Sequence, residues 1–236
     1  MPRGTPRPPS YDASRRGRRS PWSPPRPCSS SPASGSEVEP YQLPWSPLDP
    51  AALPDLLADV GAPWWLAGGW SIDAFVGRVT RVHEDTDVLV LRRDQAAFRS
   101  ALTSWDVHAA DPPGTLRPWP VGETLPVGVH DVWCRPTPSS PWALQLMIDD
   151  TGGEDWVYRR DARLRRPVSS LAGPASDPAR QVLAPEVQLL QKSKGRRPKD
   201  EADLAAAAPL LSPEARSWLR DALDLVSPGH DWVRSL

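Results

Sequence analysis

The sequence predicts a mixed α/β domain followed by a helical lobe, and three observations support this fold class. Short apolar runs bounded by glycine and proline predict strands. Segments with apolar residues at helical spacing lie between those runs, as in a mixed sheet with flanking helices. Near the C terminus, three prolines each stand where a helix is expected to begin: Pro185, Pro198 and Pro213. We therefore expect an α/β domain over residues 48–170 and a helical lobe over residues 180–236.

The expected elements follow in order along the chain. A helix carries Leu53, Leu56, Leu57 and Val60 and ends at Gly61, and a buried strand covers 63–67. A second helix, 70–76, ends at Gly77, and Asp94 is expected to cap a third. Further strands are expected at 87–91, 105–109, 127–133, 142–148 and 156–158, with a long loop over 111–126. Turn-rich segments after 133 and 148 predict two hairpins.

Composition narrows the classes of protein to consider. The formal net charge of −1 argues against a protein that binds nucleic acid through bulk charge. No stretch approaches the roughly 18 apolar residues of a membrane span, and the start lacks the apolar core of a secretory signal. We therefore expect a cytoplasmic protein without a membrane partner. Cys28 and Cys134 lie in unlike settings, which predicts no disulfide.

Residues 1–42 are rich in proline, serine and arginine and poor in aliphatic side chains. Such a segment buries too little apolar surface to offset the entropy of ordering, so we expect a disordered tail. A basic arm for RNA or another anionic partner is one interpretation. A passive tail is the other.

An acidic pair opens the apolar strand at 87–91. Asp85 and Asp87 are two residues apart, so on a strand they share a face, with Cα atoms about 6.6–7 Å apart. Carboxylate oxygens suit Mg²⁺, which is completed by water and by substrate phosphates. The preceding Gly68-Gly69 pair, at the start of a helix, allows backbone N–H groups to approach a phosphate. Each motif alone also has a purely structural interpretation: the acidic pair as a solvated strand end, and the glycine pair as a turn.

Together the two motifs resemble the nucleotidyltransferase superfamily. The stretch 65–87, WLAGGWSIDAFVGRVTRVHEDTD, is similar throughout to aminoglycoside and lincosamide nucleotidyltransferases. The resemblance implies transfer of a nucleoside monophosphate from a nucleoside triphosphate, ATP being the expected one, to a substrate hydroxyl with Mg²⁺. It implies metal ligation by Asp85 and Asp87, and nucleotide binding by Gly68, Gly69 and the adjoining Trp70.

A second block in the helical lobe resembles related nucleotidyltransferase-domain proteins. It comprises Ala184-Pro185-Glu186-Val187, Lys192, Lys194, Pro198-Lys199-Asp200 and Asp203. We expect Lys192 and Lys199 to contact the triphosphate, with solvated surface lysines as the alternative. Arg81, in the loop before the acidic pair, is expected to grip a phosphate, and pairing with a nearby acid is equally compatible with its position.

The superfamily commonly carries a third carboxylate on a strand beside the acidic pair. The matching position here is Gln145, and an amide cannot accept a proton from a hydroxyl. Asp131, on the partner strand, and Asp149, four residues along the strand from Gln145, are the two candidates for the catalytic base. The sequence leaves both open.

Three functions compete on this evidence. The first is a nucleotidyltransferase whose acceptor is a hydroxylated small molecule of aminoglycoside type or an RNA end. The second is a catalytically inactive domain that keeps the fold to bind a nucleotide or a partner. The third, a glycosyltransferase that uses Asp-x-Asp for a nucleotide sugar, leaves the glycine pair and the lysines without roles.

Overall fold

The structure, a computed structural model, describes residues 44–236; the tail expected over residues 1–42 and Cys28 lie outside them. The strands are β1 (Trp64–Leu66), β2 (Asp87–Leu91), β3 (Asp106–Ala110), β4 (Leu116–Pro118), β5 (Asp131–Arg135), β6 (Leu144–Gly152), β7 (Asp155–Val157) and β8 (Arg165–Pro167). The α-helices are α1 (Leu53–Leu56), α2 (Gly68–Val76), α3 (Gln95–Ala101), α4 (Pro185–Ser193), α5 (Pro198–Ala207) and α6 (Pro213–Val226). No helix in this part of the chain is long and apolar enough to cross a membrane.

The strands form one mixed sheet in the order β1-β2-β6-β5-β3-β4. The β2–β6 pair is parallel, whereas β1–β2, β6–β5, β5–β3 and β3–β4 are antiparallel. Strand β6 continues past β2 and pairs with β7, which pairs with β8. The mixed α/β fold class is thus confirmed.

Two apolar clusters cover the two faces of the sheet. On one face, Leu89 and Met147 pack with Val187, Leu190 and other apolar residues of the C-terminal helices. On the other face, Val88 and Leu146 pack with α1 and α3. The alternation along β2 therefore assigns Asp87 and Leu89 to the face that carries the helical lobe.

Several expected elements are confirmed and others shift. Pro185, Pro198 and Pro213 each open a helix, and the Ser212 hydroxyl caps α6 by accepting from the Ala215 N–H at 3.2 Å. Helix α2 begins at Gly68, two residues before the expected start, because Ala67 is still extended and the helix already includes both glycines. The expected loop 111–126 contains strand β4, which pairs with β3 at the edge of the sheet although the segment is rich in proline.

Candidate active site

Three half-buried side chains form a row across the sheet on the face of the helical lobe. In the strand registers, Asp87 of β2 lies beside Gln145 of β6, and Gln145 lies beside Trp133 of β5. Residues in one row of paired strands point to the same face. The row therefore joins the expected metal ligand Asp87 to an amide and then to an indole.

Burial and neighbouring charges both act on the carboxylate of Asp87. Its pKa is raised from 3.8 to about 7, first by burial and then by the charges of Asp85 and Asp131, while Lys192 and Lys199 act in the opposite direction. The ionised form is thus under-compensated by the protein alone. A bound cation would supply the missing positive charge.

The two glycines lie against side chains of the site. A Cβ atom on Gly68 would stand 2.1 Å from Asp87 Oδ2, and one on Gly69 would stand 2.3 Å from an Arg81 nitrogen and 2.4 Å from His83 Nδ1. The Gly68 N–H donates to Gln188 Oε1 at 2.8 Å in a buried bond. This differs from the expectation that Gly68 offers its N–H to a phosphate, because that donor already has a protein partner. The glycine pair makes room for the carboxylate and for Arg81, and nucleotide binding at Gly69 stays a prediction.

Substitution of Gly68 by alanine should therefore affect both stability and function. Gly68 has φ of +66°, where an L-residue costs about 1–2 kcal/mol, and its new methyl group would displace Asp87. Gly77→Ala is a matched control, since Gly77 has φ of +79° with open space around its Cβ position. We expect both variants to melt earlier and only Gly68→Ala to lose nucleotide binding measured by calorimetry. Equal binding by the two variants would contradict the close approach.

Asp73 of α2 fixes the loop that leads to the acidic pair. Its carboxylate accepts from the Thr80 N–H at 3.0 Å and the Thr80 hydroxyl at 2.5 Å, and its other oxygen lies 2.5 Å from His83 Nε2. The ring of His83 lies against Trp70, with centroids 4.2 Å apart. His83 and Trp70 thus pack together and help to position the loop. The expected nucleotide contact of Trp70 remains a prediction.

Two buried carboxylates on α5 hold several cations beside the acidic pair. Asp203 accepts a bidentate pair of bonds from Arg81 at 2.9 and 3.0 Å and lies 2.8 Å from Lys192 Nζ. Burial alone would raise the pKa of Asp203, but these bonds hold it below its ordinary value. The third Arg81 nitrogen donates to the Val82 carbonyl. Arg81 therefore ties the loop to α5, which is the pairing with a nearby acid that the sequence left open. Its contact with a phosphate stays a prediction.

The start of α5 adds further positive charge. Arg197 donates two bonds to Asp200 at 2.8 and 3.1 Å, and its guanidinium also interacts electrostatically with Asp85 and Asp87. Lys199 Nζ lies 3.5 Å from Glu84, at a partly exposed position. Lys192 and Lys199 both stabilise ionised Asp87. The structure thus brings both expected lysines to the carboxylates.

Asp131 is the candidate base that the fold brings beside the row. Its Oδ1 accepts from Gln145 Nε2 at 3.1 Å and from Arg159 at 3.4 Å. The charge of Asp131 also contributes to the raised pKa of Asp87. Asp131 is half-buried, so its side chain keeps some exposure to solvent.

Asp149 occupies a different environment. Its register partner is Leu91, four residues along β2 from Asp87, and its side chain is fully buried. Oδ2 accepts from Trp156 Nε1 at 2.8 Å and from Gln191 Nε2 at 3.0 Å. Burial raises the pKa of this carboxyl. The structure does not bring Asp149 to the acidic pair.

The donor set suits a hydrated Mg²⁺. Among residues 44–236, no three His, Cys, Asp or Glu side chains converge as a closed metal cluster. Mg²⁺ keeps several waters and commonly takes only one or two protein carboxylates plus substrate phosphates, so a closed cluster is not required. Asp85 and Asp87 would meet that requirement, and a cation would stabilise the ionised form of Asp87, whose pKa is raised by burial and by the charge of Asp85.

A cavity of about 700 Å³ lies away from these carboxylates. It opens between α2, α4 and α6, with Phe75, Glu186 and Trp218 in its wall. Arg166 in the same wall bonds Glu186 at 2.9 Å and Ser170, and its guanidinium lies over the Trp218 ring. Because Arg166 and Glu186 in this wall pair with each other, we assign the chemistry to the carboxylate row.

Sequence reasoning missed four residues that shape the site: Asp73, Gln188, Arg159 and Arg197. Each acts through a partner that is distant in sequence or lies on another element. A signal existed only for Asp73, an acid in an otherwise apolar helix. The others sit in polar segments where such residues are common.

Comparison with known proteins supports the resemblance seen in the motifs. Residues 51–111, the segment that contains both glycines and both carboxylates, match the family model of aminoglycoside-2''-adenylyltransferase. A segment of 26 residues is 62% identical to 2''-aminoglycoside nucleotidyltransferases of Escherichia coli and Klebsiella pneumoniae, which is 11% of this chain and 15% of each relative. The aligned part of the chain thus spans only 15% of the length of these curated relatives.

Solved structures that match the chain include ANT(2'')-Ia in complex with adenylyl-2''-tobramycin, at 14% identity and a TM-score of 0.45 over 75% of this chain and 97% of that one. An antigenic nucleotidyltransferase-like protein from Paracoccidioides brasiliensis matches at 18% identity and a TM-score of 0.42, covering 78% of this chain and 88% of that one. The chain is similar to aminoglycoside nucleotidyltransferases, as its motifs predicted.

Proposed function

We propose that the protein transfers a nucleoside monophosphate from a nucleoside triphosphate, with ATP as the expected donor, to a hydroxyl of a small molecule of aminoglycoside type. The observation that carries this proposal is the acidic pair, in which Asp87 packs against Gly68 and lies close enough to Lys192 and Lys199 for both lysines to act on its carboxylate. Carboxylates for a metal and lysines for phosphates then stand side by side. The matched family segment covers the same residues.

Asp85 and Asp87 would hold Mg²⁺, which when bound neutralises charge on the α-phosphate and orients the triphosphate. Lys192 and Lys199 would face the β- and γ-phosphates, while Asp200 and Asp203 fix the geometry of the cations around them. Nearby carboxylates limit the net positive charge, so the product pyrophosphate can leave. A nucleoside triphosphate substrate is consistent with a cytoplasmic location.

Asp131 would act as the general base in the transfer. The acceptor oxygen attacks the α-phosphorus, a new O–P bond forms, and the bond from the α-phosphorus to the bridging oxygen of pyrophosphate breaks. The acceptor proton passes to the Asp131 carboxylate, which Gln145 and Arg159 hold in place. Pyrophosphate leaves on the side of the lysines.

Product analysis tests this proposal. The protein is incubated with Mg²⁺, each nucleoside triphosphate, and a panel of aminoglycosides, lincosamides and tRNA, and products are identified by mass spectrometry. We expect an aminoglycoside carrying one nucleoside monophosphate, with equimolar pyrophosphate. A nucleoside monophosphate on the tRNA end would instead identify RNA, not an aminoglycoside, as the acceptor. Nucleotide binding without any adduct would support the alternative of an inactive binding domain, which Gln145 at the third carboxylate position favours.

A further inference from the structure

Two half-buried tryptophans lie beside the carboxylate row without joining either apolar core. Trp133 is in register with Gln145, and Trp45 packs edge-on against Trp133 with ring centroids 5.0 Å apart. Within residues 44–236, the clusters on the two faces of the sheet include neither ring. A half-exposed pair of indoles outside the core is costly to leave in water, so a ligand that covers it gains free energy.

The pair is held in a fixed position. Trp133 also contacts Trp142, with centroids 5.7 Å apart and planes at 72°, and Trp142 is fully buried. Residues 46 and 48 bond the backbone of 142–143, which anchors Trp45 to the edge of β6. A platform built on a strand and a paired segment presents its surface with little loss of entropy on binding.

The in-line geometry of the transfer indicates which substrate contacts Trp133 and Trp45. In phosphoryl and nucleotidyl transfer, the attacking and leaving oxygens lie roughly in line across the phosphorus. The cations that would face the leaving pyrophosphate belong to α4 and α5, which pack against α2 after β1. Trp133 lies on β5, on the other side of β2, and Asp131 lies on the same strand. The attacking hydroxyl therefore comes from the Trp133 side.

We propose that Trp133, supported by Trp45, forms the acceptor subsite and binds a hydroxylated ring that carries ammonium groups. Indole faces attract both the C–H surface of such a ring and a nearby ammonium group. Asp131, two residues before Trp133 on the same face, then lies within reach of a ring hydroxyl. Across β6, the Cα atoms of Trp133 and Asp87 are about 10 Å apart, which leaves room for the α-phosphate between them. This inference rests on the proposed function.

Equilibrium binding tests the subsite separately from catalysis. Calorimetry measures Kd of an aminoglycoside and, in a second titration, Kd of a non-hydrolysable ATP analogue with Mg²⁺. For Trp133→Ala we expect about a tenfold weaker aminoglycoside Kd with the nucleotide Kd unchanged, and a smaller loss for Trp133→Phe. Trp64→Ala is the matched control, because Trp64 is also half-buried but pairs with Val90 on the opposite face of the sheet.

The outcomes separate the two proposals. Wild-type protein that binds the aminoglycoside but forms no adduct contradicts the proposed function and leaves the subsite intact. Weaker nucleotide binding in Trp133→Ala would assign the two tryptophans to the nucleobase and overturn the inference. Equal aminoglycoside affinity in Trp133→Ala and wild type, or no aminoglycoside binding by wild type, would also overturn it. If Trp133→Ala does not fold, judged by its melting midpoint, Trp133→Phe and Trp45→Ala decide by the same criteria.

Discussion

Replacement of Asp87 by asparagine is expected to lower kcat/KM for nucleotidyl transfer by at least about a thousandfold, which corresponds to the loss of several kcal/mol of metal stabilisation. Asp85→Asn is expected to have a similar effect, because the charge of Asp85 acts on Asp87 and both carboxylates would ligate the same cation. Asp55→Asn is a suitable control, since Asp55 lies on α1, on the opposite side of the sheet. Steady-state assays with varied Mg²⁺ measure the loss.

The stability of metal-free Asp87→Asn protein should not fall with its activity. Asp87 has a folded pKa of about 7 against an ordinary value of 3.8. Between these values the folded state keeps a proton that the unfolded chain has lost, so the site costs stability as pH rises from 4 to 7 in the absence of metal. Metal-free Asp87→Asn protein lacks this cost, and at pH 8 its melting midpoint should equal or exceed that of wild type. A sharp drop would assign Asp87 a structural role.

Asp131→Asn is expected to lower kcat by about 10²–10⁴-fold with little change in the KM for nucleotide, as for the loss of a general base. The reason is its position: Asp131 is half-buried beside Gln145, and its charge reaches Asp87. Single-turnover kinetics separate this chemical step from product release.

Two further substitutions discriminate between the candidate bases. Asp149→Asn should retain most of the wild-type rate, because Asp149 is fully buried and bonded to Trp156 and Gln191. A loss in Asp149→Asn equal to that in Asp131→Asn, without a change in melting midpoint, would contradict the assignment to Asp131. Gln145→Asp tests the third position directly: rescue of Asp131→Asn by this change would identify Gln145 as the ancestral acidic site.

Local patterns were sufficient to predict most of the fold. The apolar run after Asp87 is a strand, because five consecutive residues with four buried suit an interior position between β1 and β6. The starts of the C-terminal helices were predictable since proline at a first helical position needs no N–H partner. Strand β4 was not, because Pro118 and the prolines around the strand suppress the strand pattern, and β4 forms by pairing with β3.

The acidic pair could be predicted from spacing, but its surroundings could not. The bond from Arg81 to Asp203 joins residues 122 positions apart, and the bond from Gly68 to Gln188 joins residues 120 apart. No periodicity encodes such pairs; they follow from the way the helical lobe packs on the sheet. For the same reason, the choice between Asp131 and Asp149 required the register of β5 and β6.

The most direct test of the central claim follows the α-phosphate. Two parallel reactions with Mg²⁺ and an aminoglycoside contain ATP labelled with radioactive phosphorus at either the α- or the γ-position. The account predicts label on the aminoglycoside only from α-labelled ATP, with γ-label recovered in pyrophosphate, and neither product with Asp87→Asn. Transfer of γ-label to the acceptor, or full activity of Asp87→Asn, would contradict nucleotidyl transfer at this acidic pair.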